Sequence, residues 1–491
     1  MSAPVSSNAR RWWALAVLSF TALMVALDAT VINIALPHAQ LDLHFSSANR
    51  QWLITAYVLA FGSLMLLGGR LSDLWGRRRA LYVGLAGFAL ASALGGWAHS
   101  FGVLVTARAA QGVFAALLAP AALAALTTTF EDPRERAKAF SIYGALGGSG
   151  AATGLLLGGA LTQWATWRWC LYVNIVFAAV ALVGVALFVE GGQREHHVRL
   201  DVPSAVLASA GLFFVVFGLG HAVTTSWSDV LTWNSLVIGA LLLILFTLLQ
   251  QRVTSPLLPL RLIINRVRGG SLVALFITNI GMFGISLFLA YYLQSTIGYS
   301  PLRTGVAFLP MVVALAVSAF IASARLLAKV GPRPLVPTGM VLAMMGMILF
   351  TKLTVKADYF GDVLPGLVVT GLGLGLIFAP AFASATAGIK AKDAGAASAL
   401  VNTTQQIGGS VGTALLNTIA VSVTARAQQA LPAQLGRGTR AGVIAQIHAT
   451  LHGYTVAFWW AAGLFGVGAV LTFALLESGV PELEAELVPL L

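Results

Sequence analysis

Long apolar runs separated by short polar connectors make up nearly the whole chain. The runs lie near residues 12–37, 51–69, 80–99, 103–127, 138–161, 168–189, 201–221, 231–249, 271–294, 303–324, 333–353, 361–388, 395–422 and 455–476. A helix of about 20 apolar residues crosses the ~30 Å hydrocarbon of a bilayer, so the pattern predicts an all-α membrane protein with fourteen spans. An even number of spans puts both termini on one side.

Composition supports lipid as the main solvent. The 491 residues are 58% hydrophobic and 9% charged, with a mean hydropathy of +0.86. Soluble domains carry roughly 25% charged residues. The net charge of +12 does not point to nucleic acid, because the basic residues sit in connectors rather than along one polar face. They point instead to membrane lipid. The single cysteine, Cys170, excludes an intrachain disulfide. Arg10 and Arg11 precede a run from Trp12 to about Pro37 that exceeds the apolar core of a secretory leader, and no small-residue cleavage site follows it. It reads as a retained first span.

Lysine and arginine give the orientation. With the N-terminus in the cytoplasm, the cytoplasmic segments hold twenty of them and the outer connectors eight, while Arg108 lies inside a span. This asymmetry follows the positive-inside rule and predicts a multi-pass plasma (inner) membrane protein with both termini cytoplasmic. Trp12, Trp13, Trp52, Trp97, Trp164, Trp167, Trp169, Trp227 and Trp233 fall at or beside span ends, where indole suits the interface.

The chain also repeats itself. GGRLSDLWGRRRAL after span 2 is answered by SARLLAKVGPRPLV after span 10, with Arg70 to Gly76 matching Arg325 to Gly331. LAPA at 118–121 in span 4 is answered by FAPA at 378–381 in span 12. The expected organisation is a six-helix bundle in 1–190, two inserted helices in 191–255 and a second six-helix bundle in 256–491. Related halves around a central site are a transporter architecture.

Specific motifs sharpen this. The connector 68–81 resembles the signature of the major facilitator superfamily, matching at Gly69, Leu71, Asp73, Gly76, Arg77, Arg78 and Leu81. Span 4 carries a second pattern at Leu104, Arg108, Gln111 and Gly112, and span 1 reads LDATVINIALP over 27–37, similar to fourteen-span drug:proton antiporters. The resemblance implies the major facilitator fold and proton-driven export of drugs, dyes or antibiotics. Span 5 departs from the antiporter motif: Gly154, Gly158 and Gly159 are kept for helix packing, but Leu155 stands where proline is usual, removing a bend. Val176 in span 6 also replaces a proline found in many relatives.

Two ionisable side chains fall well inside the spans, Asp28 and Arg108. Charge there costs about 2.5–3.5 kcal/mol on insertion scales, which makes such residues functional candidates. At ~1.5 Å per residue, Asp28 lies about 13 Å and Arg108 about 8 Å from the outer ends of their spans, so neighbouring helices would let them pair. Enclosure favours the neutral acid and a nearby guanidinium favours the anion. Alternating exposure would therefore let Asp28 load and release a proton beside a permanently charged Arg108. The alternative is a static pair that fixes the bundle.

If the resemblance holds, Asp73 and Arg77 form a cytoplasmic latch, with Gly69, Gly76 and Arg78 shaping it; Arg79 only sets topology. Asn33, Tyr57, Gln111, Asn279, Gln294, Asn402, Gln405 and Gln406 are polar positions that could line a substrate cavity, or bond helix to helix. His221 suits the interface. The segment 441–454 within the outer connector has apolar residues at helical spacing and is expected to lie on the outer surface. The chain shows no phosphate-binding loop, paired metal ligands or nucleophile constellation, which argues against an ATP-driven pump or an enzyme. A proton gradient replaces any cofactor. The expected protein is a monomeric proton-coupled exporter of hydrophobic or cationic small molecules. Its alternatives are a dedicated exporter of one metabolite or antibiotic, and a non-transporting receptor or scaffold.

Overall fold

A backbone in hydrocarbon must satisfy its own N–H and C=O groups, which forces each apolar run into a helix. The computed structural model describes residues 5–45, 47–130, 132–190, 201–225, 227–253, 265–356, 358–387, 389, 394–430 and 440–477. The helices are α1 (Val5–Leu43), α2 (Ser47–Trp75), α3 (Arg77–Gly96), α4 (Phe101–Thr129), α5 (Pro133–Trp164), α6 (Trp169–Phe188), α7 (Val202–Thr224) and α8 (Val230–Gln250). They continue as α9 (Arg266–Tyr291), α10 (Pro301–Ala307), α11 (Leu309–Ile321), α12 (Leu327–Val330), α13 (Pro332–Phe350), α14 (Leu364–Thr386), α15 (Ala394–Gln429) and α16 (Arg440–Leu475).

π-helical turns at Tyr292–Thr296, Ala322–Leu326 and Tyr359–Val363 extend or join helices of the second half. Because α10, α11 and α12 follow one another as one span, the total is the expected fourteen. Thirteen of these are long and apolar enough to cross a membrane among the described residues, and α5 is the other.

Two apolar cores form. One draws on α1 to α8 and takes in Ala397 from α15. The other draws on α9 to α16 and takes in Ile34 from α1. Along one seam α15 packs on α2, α4 and α7; along the other, α10 and α11 pack on α5. A cleft of about 20 Å³, room for about one water, remains where α2, α7 and α15 meet, lined in part by Thr55, Gly220, Ser410 and Thr413. The inserted helices α7 and α8 pair tightly: a Cβ at Gly239 would stand 2.9 Å from the Gly211 carbonyl oxygen.

The sequence repeat survives in backbone conformation. Gly76 and Gly331 end equivalent connectors at φ 84° and 73°, and His44 and Gly298 occupy the preceding equivalent connectors at φ 52° and 80°. Glycine takes this left-handed region without penalty. Pro120 and Pro380 both lie buried within helices, α4 and α14.

Two expectations are corrected. Residues 441–454 do not form a separate surface helix. They open α16, a helix of 36 residues, and a Cβ at Gly453 would stand 2.2 Å from Thr424 Oγ1 of α15. Ala449 and Leu451 are buried there, while Val443 and Ile444 stay exposed. Nor is Trp167 an interfacial anchor: it is buried and its indole N–H donates to Asp42 at 3.1 Å. Trp13, Trp97, Trp164, Trp169 and Trp233 are exposed near helix ends. The acidic tail after Glu477 lies outside the described residues.

Candidate functional site

Asp28 and Arg108 meet inside the first half. Arg108 Nη1 donates to Asp28 Oδ2 at 2.7 Å, and both side chains are essentially inaccessible, at 0% and 1% exposed. Asp28 Oδ1 accepts from Gln111 Nε2 at 3.0 Å and from Asn174 Nδ2 at 2.6 Å. With three donors and no donation of its own, Asp28 has the partner set of an ionised carboxylate. A charge so deep is tolerated because it is both paired and hydrogen-bonded.

Arg108 is held from three further directions. Its Nε donates to the Leu53 carbonyl of α2 at 3.3 Å, Nη1 also reaches Gln111 Oε1 at 2.9 Å, and the guanidinium lies over the Tyr57 ring, 4.5 Å from its centroid. Gln111 completes the cluster by donating to Ser92 of α3 at 2.8 Å. Five helices therefore converge on one pair: α1, α2, α3, α4 and α6. Close approach of α5 to α1 seats the same stretch, since a Cβ at Gly154 would stand 2.1 Å from Thr30 Oγ1 and one at Gly158 2.8 Å from the Val31 carbonyl oxygen. Gly159 is buried as well. Helix α5 runs unbroken through Leu155, as expected without the proline.

The polar candidates divide. Gln111 belongs to the charge cluster, with both amide atoms committed there, and has no atom left for a cavity. Asn279 donates to Leu275 of its own helix at 2.8 Å. Gln294 sits in a π-helical turn. Tyr57 is buried with its hydroxyl unpartnered, and the half-buried Asn33 has an enclosed, unpartnered Oδ1. Asn402, Gln405 and Gln406 are half-buried on α15, where Gln406 Cβ would lie 3.5 Å from a Cβ on Gly62 of α2. His221 stacks on Phe217 and faces Asp229 across 3.8 Å.

At the end carrying the α2–α3 connector, arginines cap helix ends. Arg77 Nη1 donates to Thr128 Oγ1 at 2.5 Å and Arg78 Nη2 to the Ala186 carbonyl at 2.8 Å, binding α3 to the ends of α4 and α6. Asp73 is half-buried and Gly69 buried. In the second half Arg268 donates to the carbonyls of Ala385 and Ala387 at 3.1 and 3.0 Å, and Arg266 to Ala474 at 2.6 Å. Cations at helix C-termini complement the macrodipole.

Sequence reasoning passed over Asn174 and Ser92. A signal existed for Asn174: it is the lone amide of an otherwise apolar span, five residues into α6, close to the depth of Arg108 in α4.

Residues 18–413 match the Major Facilitator Superfamily. The chain belongs to that superfamily. Among its relatives, the puromycin resistance protein pur8 of Streptomyces alboniger is 48% identical over 471 residues, covering 96% of this chain and 92% of that protein. The cephamycin export protein CmcT of Amycolatopsis lactamdurans is 36% identical, covering 86% and 87%. A solved bacterial homologue of the human lysosomal transporter Spinster superposes with a TM-score of 0.62 at 16% identity, over 96% of this chain and 97% of that one, a likeness of fold. This major facilitator is thus a multi-pass membrane transporter, and Asp28 and Arg108 form an enclosed ion pair between α1 and α4.

Proposed function

We propose that this major facilitator exports hydrophobic or cationic antibiotic-like molecules in exchange for protons, with Asp28 as the proton-carrying group. The observation that carries the reading is the enclosed Asp28–Arg108 pair with its three donors. A proton can join Asp28 only if that donor set rearranges. Arg108 would then lose its counter-ion while keeping Leu53 and Tyr57, both on α2. Since α2 packs on α15, a proton gained at α1 would be felt at the seam between the halves. That is a two-state element of the kind alternating access needs.

The surrounding roles follow. Asp73 and Arg77, with Gly69, Gly76 and Arg78, would form the gate at the cytoplasmic end; Arg266 and Arg268 brace the matching helix ends of the second half. The lysine and arginine asymmetry puts both termini in the cytoplasm of a bacterial plasma membrane. Asn33, Tyr57, Asn402, Gln405 and Gln406 offer neutral polar groups to a substrate passing between the halves. One chain contains both halves, so a monomer suffices.

The experiment is uptake of ethidium into inverted proteoliposomes, with and without a pH gradient. Wild type should transport only with the gradient, and Asp28→Asn should lose that dependence. Equal gradient-driven rates in both proteins would overturn the assignment of Asp28. A second reading is a dedicated exporter of one antibiotic, favoured by the names of the puromycin and cephamycin relatives. A panel of antibiotics separates the two by the number of compounds moved.

A further inference from the structure

We infer that Asn174 is the residue that lets Asp28 exist in both protonation states, by turning its side-chain amide end for end. This deepens the proton-exchange reading and rests on it.

An ionised carboxylate needs donors, whereas a protonated one needs an acceptor for its O–H. A group facing Asp28 serves both states only if it can change from donor to acceptor. Arg108 on α4 has only donors. Gln111, also on α4, has its Oε1 engaged by Arg108 and its Nε2 shared between Asp28 and Ser92. Tyr57 on α2 lies under Arg108. From α5, Gly150 and Gly154 pack against this stretch of α1 and bring no polar side chain. Cys170, one turn before Asn174 on α6, is occupied by Thr162 Oγ1 and the Gly158 carbonyl.

Asn174 differs from all of these. It is fully buried, its Nδ2 donates to Asp28 Oδ1 at 2.6 Å, and its own Oδ1 is enclosed with no hydrogen-bond partner. A half-turn about the terminal side-chain bond replaces Nδ2 by Oδ1 at the same place, and this sp³–sp² torsion is soft. The acid O–H of Asp28 then donates to Asn174 Oδ1. One amide atom is unpaired in either orientation, an acceptor before the turn and a donor after it, so the two arrangements are closely matched.

The charge balance is simple. Asp28 goes from −1 to neutral by taking one proton from hydronium on the open side, whose O–H bond breaks to leave water; Arg108 remains +1, held by Leu53, Gln111 and Tyr57. No bond other than the new O–H is made. Asn174 is thus a positioning residue: it carries no proton itself and touches no substrate.

The test is infrared difference spectroscopy of the purified full-length protein across a pH titration, which needs no substrate. Wild type should gain a carboxylic-acid C=O band on acidification that is absent in Asp28→Asn. In protein carrying ¹³C-labelled asparagine, a side-chain amide C=O band should move with the same midpoint. Asn174→Leu should remove that amide change and raise the carboxyl midpoint by up to about one pH unit, because the bond lost to the anion is stronger than the bond lost to the acid. No carboxyl band in wild type would overturn the proton reading and this inference together. A titrating carboxyl band with no moving asparagine band would overturn the inference and leave the proton reading standing. The labelled wild-type measurement decides the matter even if Asn174→Leu fails to fold.

Discussion

Arg108 is sandwiched: Asp28 Oδ2 lies 2.7 Å from its Nη1, and the Tyr57 ring lies under its guanidinium, 4.5 Å from carbon to centroid. The ring supplies a face of partial negative charge where no second carboxylate is present, an attraction of about 2 kcal/mol when desolvated. The Tyr57 hydroxyl adds nothing to it, being buried without a partner. Tyr57→Phe should therefore keep thermal stability or raise it by up to about 1 kcal/mol, because an unsatisfied buried group is removed. Tyr57→Ala should lose about 3–5 kcal/mol, as large aromatic truncations do. Thermal unfolding in detergent compares the two.

Two glycines should fail for different reasons. Gly76 sits at φ 84° and ψ 136° with open space where a Cβ would go, so Gly76→Ala should cost only the strain of that positive-φ extended backbone, about 1–3 kcal/mol. Gly154 is in an ordinary helix, but its Cβ would stand 2.1 Å from Thr30 Oγ1 and 2.8 Å from the Leu27 carbonyl oxygen. Gly154→Ala should push α5 off α1 at a cost of about 1–3 kcal/mol and slow transport as well. Unfolding temperatures and efflux rates of the two variants, measured side by side, separate strain from crowding.

The turn between α7 and α8 reaches across to the second half. Trp227 Nε1 donates to Thr418 Oγ1 of α15 at 3.1 Å, and Trp233 Nε1 steadies the same turn by donating to the Trp227 carbonyl at 2.8 Å. Trp227→Phe and Thr418→Val should each destabilise the protein, and the double variant should be less destabilised than their sum by about 0.5–1.5 kcal/mol. Strict additivity would mean the bond contributes nothing.

Among the described residues, Asp28 is the one aspartate or glutamate placed in the middle of a helix. One proton per transport cycle is the expected stoichiometry. A pH unit is worth about 1.36 kcal/mol per proton, a tenfold concentration ratio. With an uncharged substrate and the membrane potential clamped at zero, the steady-state gradient should rise about tenfold per pH unit; a hundredfold rise would require a second proton site.

Much of this was legible in the chain because a bilayer leaves few alternatives. Span positions and the depth match of Asp28 and Arg108 follow from hydropathy and helical rise, and the repeat from matching motifs in the two halves of the chain. For Gln111 the choice between cavity and helix-to-helix bonding stays open in the sequence, although its i, i+3 relation to Arg108 already puts the two on one face of α4. Asn174 escaped because its depth match with Arg108 does not say that α6 and α1 are neighbours; its partner Asp28 lies 146 positions away. Residues 441–454 read as interfacial from the helical spacing of their apolar residues, yet Ala449 and Leu451 are buried and Gly453 lies against Thr424 of α15. What pattern could not give was contact across helices, and the charge cluster is made of little else.

The placement of α7 gives the molecule a handedness toward its surroundings. Helix α7 lies along α2 and α15, and α8 covers α7 while turning Leu241, Ile244, Leu245 and Leu248 outward. Acyl chains on that flank meet an aliphatic wall two helices deep. On the opposite flank, the joint of α5 with α10 and α11 has no such cladding from the hairpin. A lipophilic molecule diffusing within a leaflet therefore meets two unlike flanks, a difference that a twelve-span relative built only from two halves would not possess.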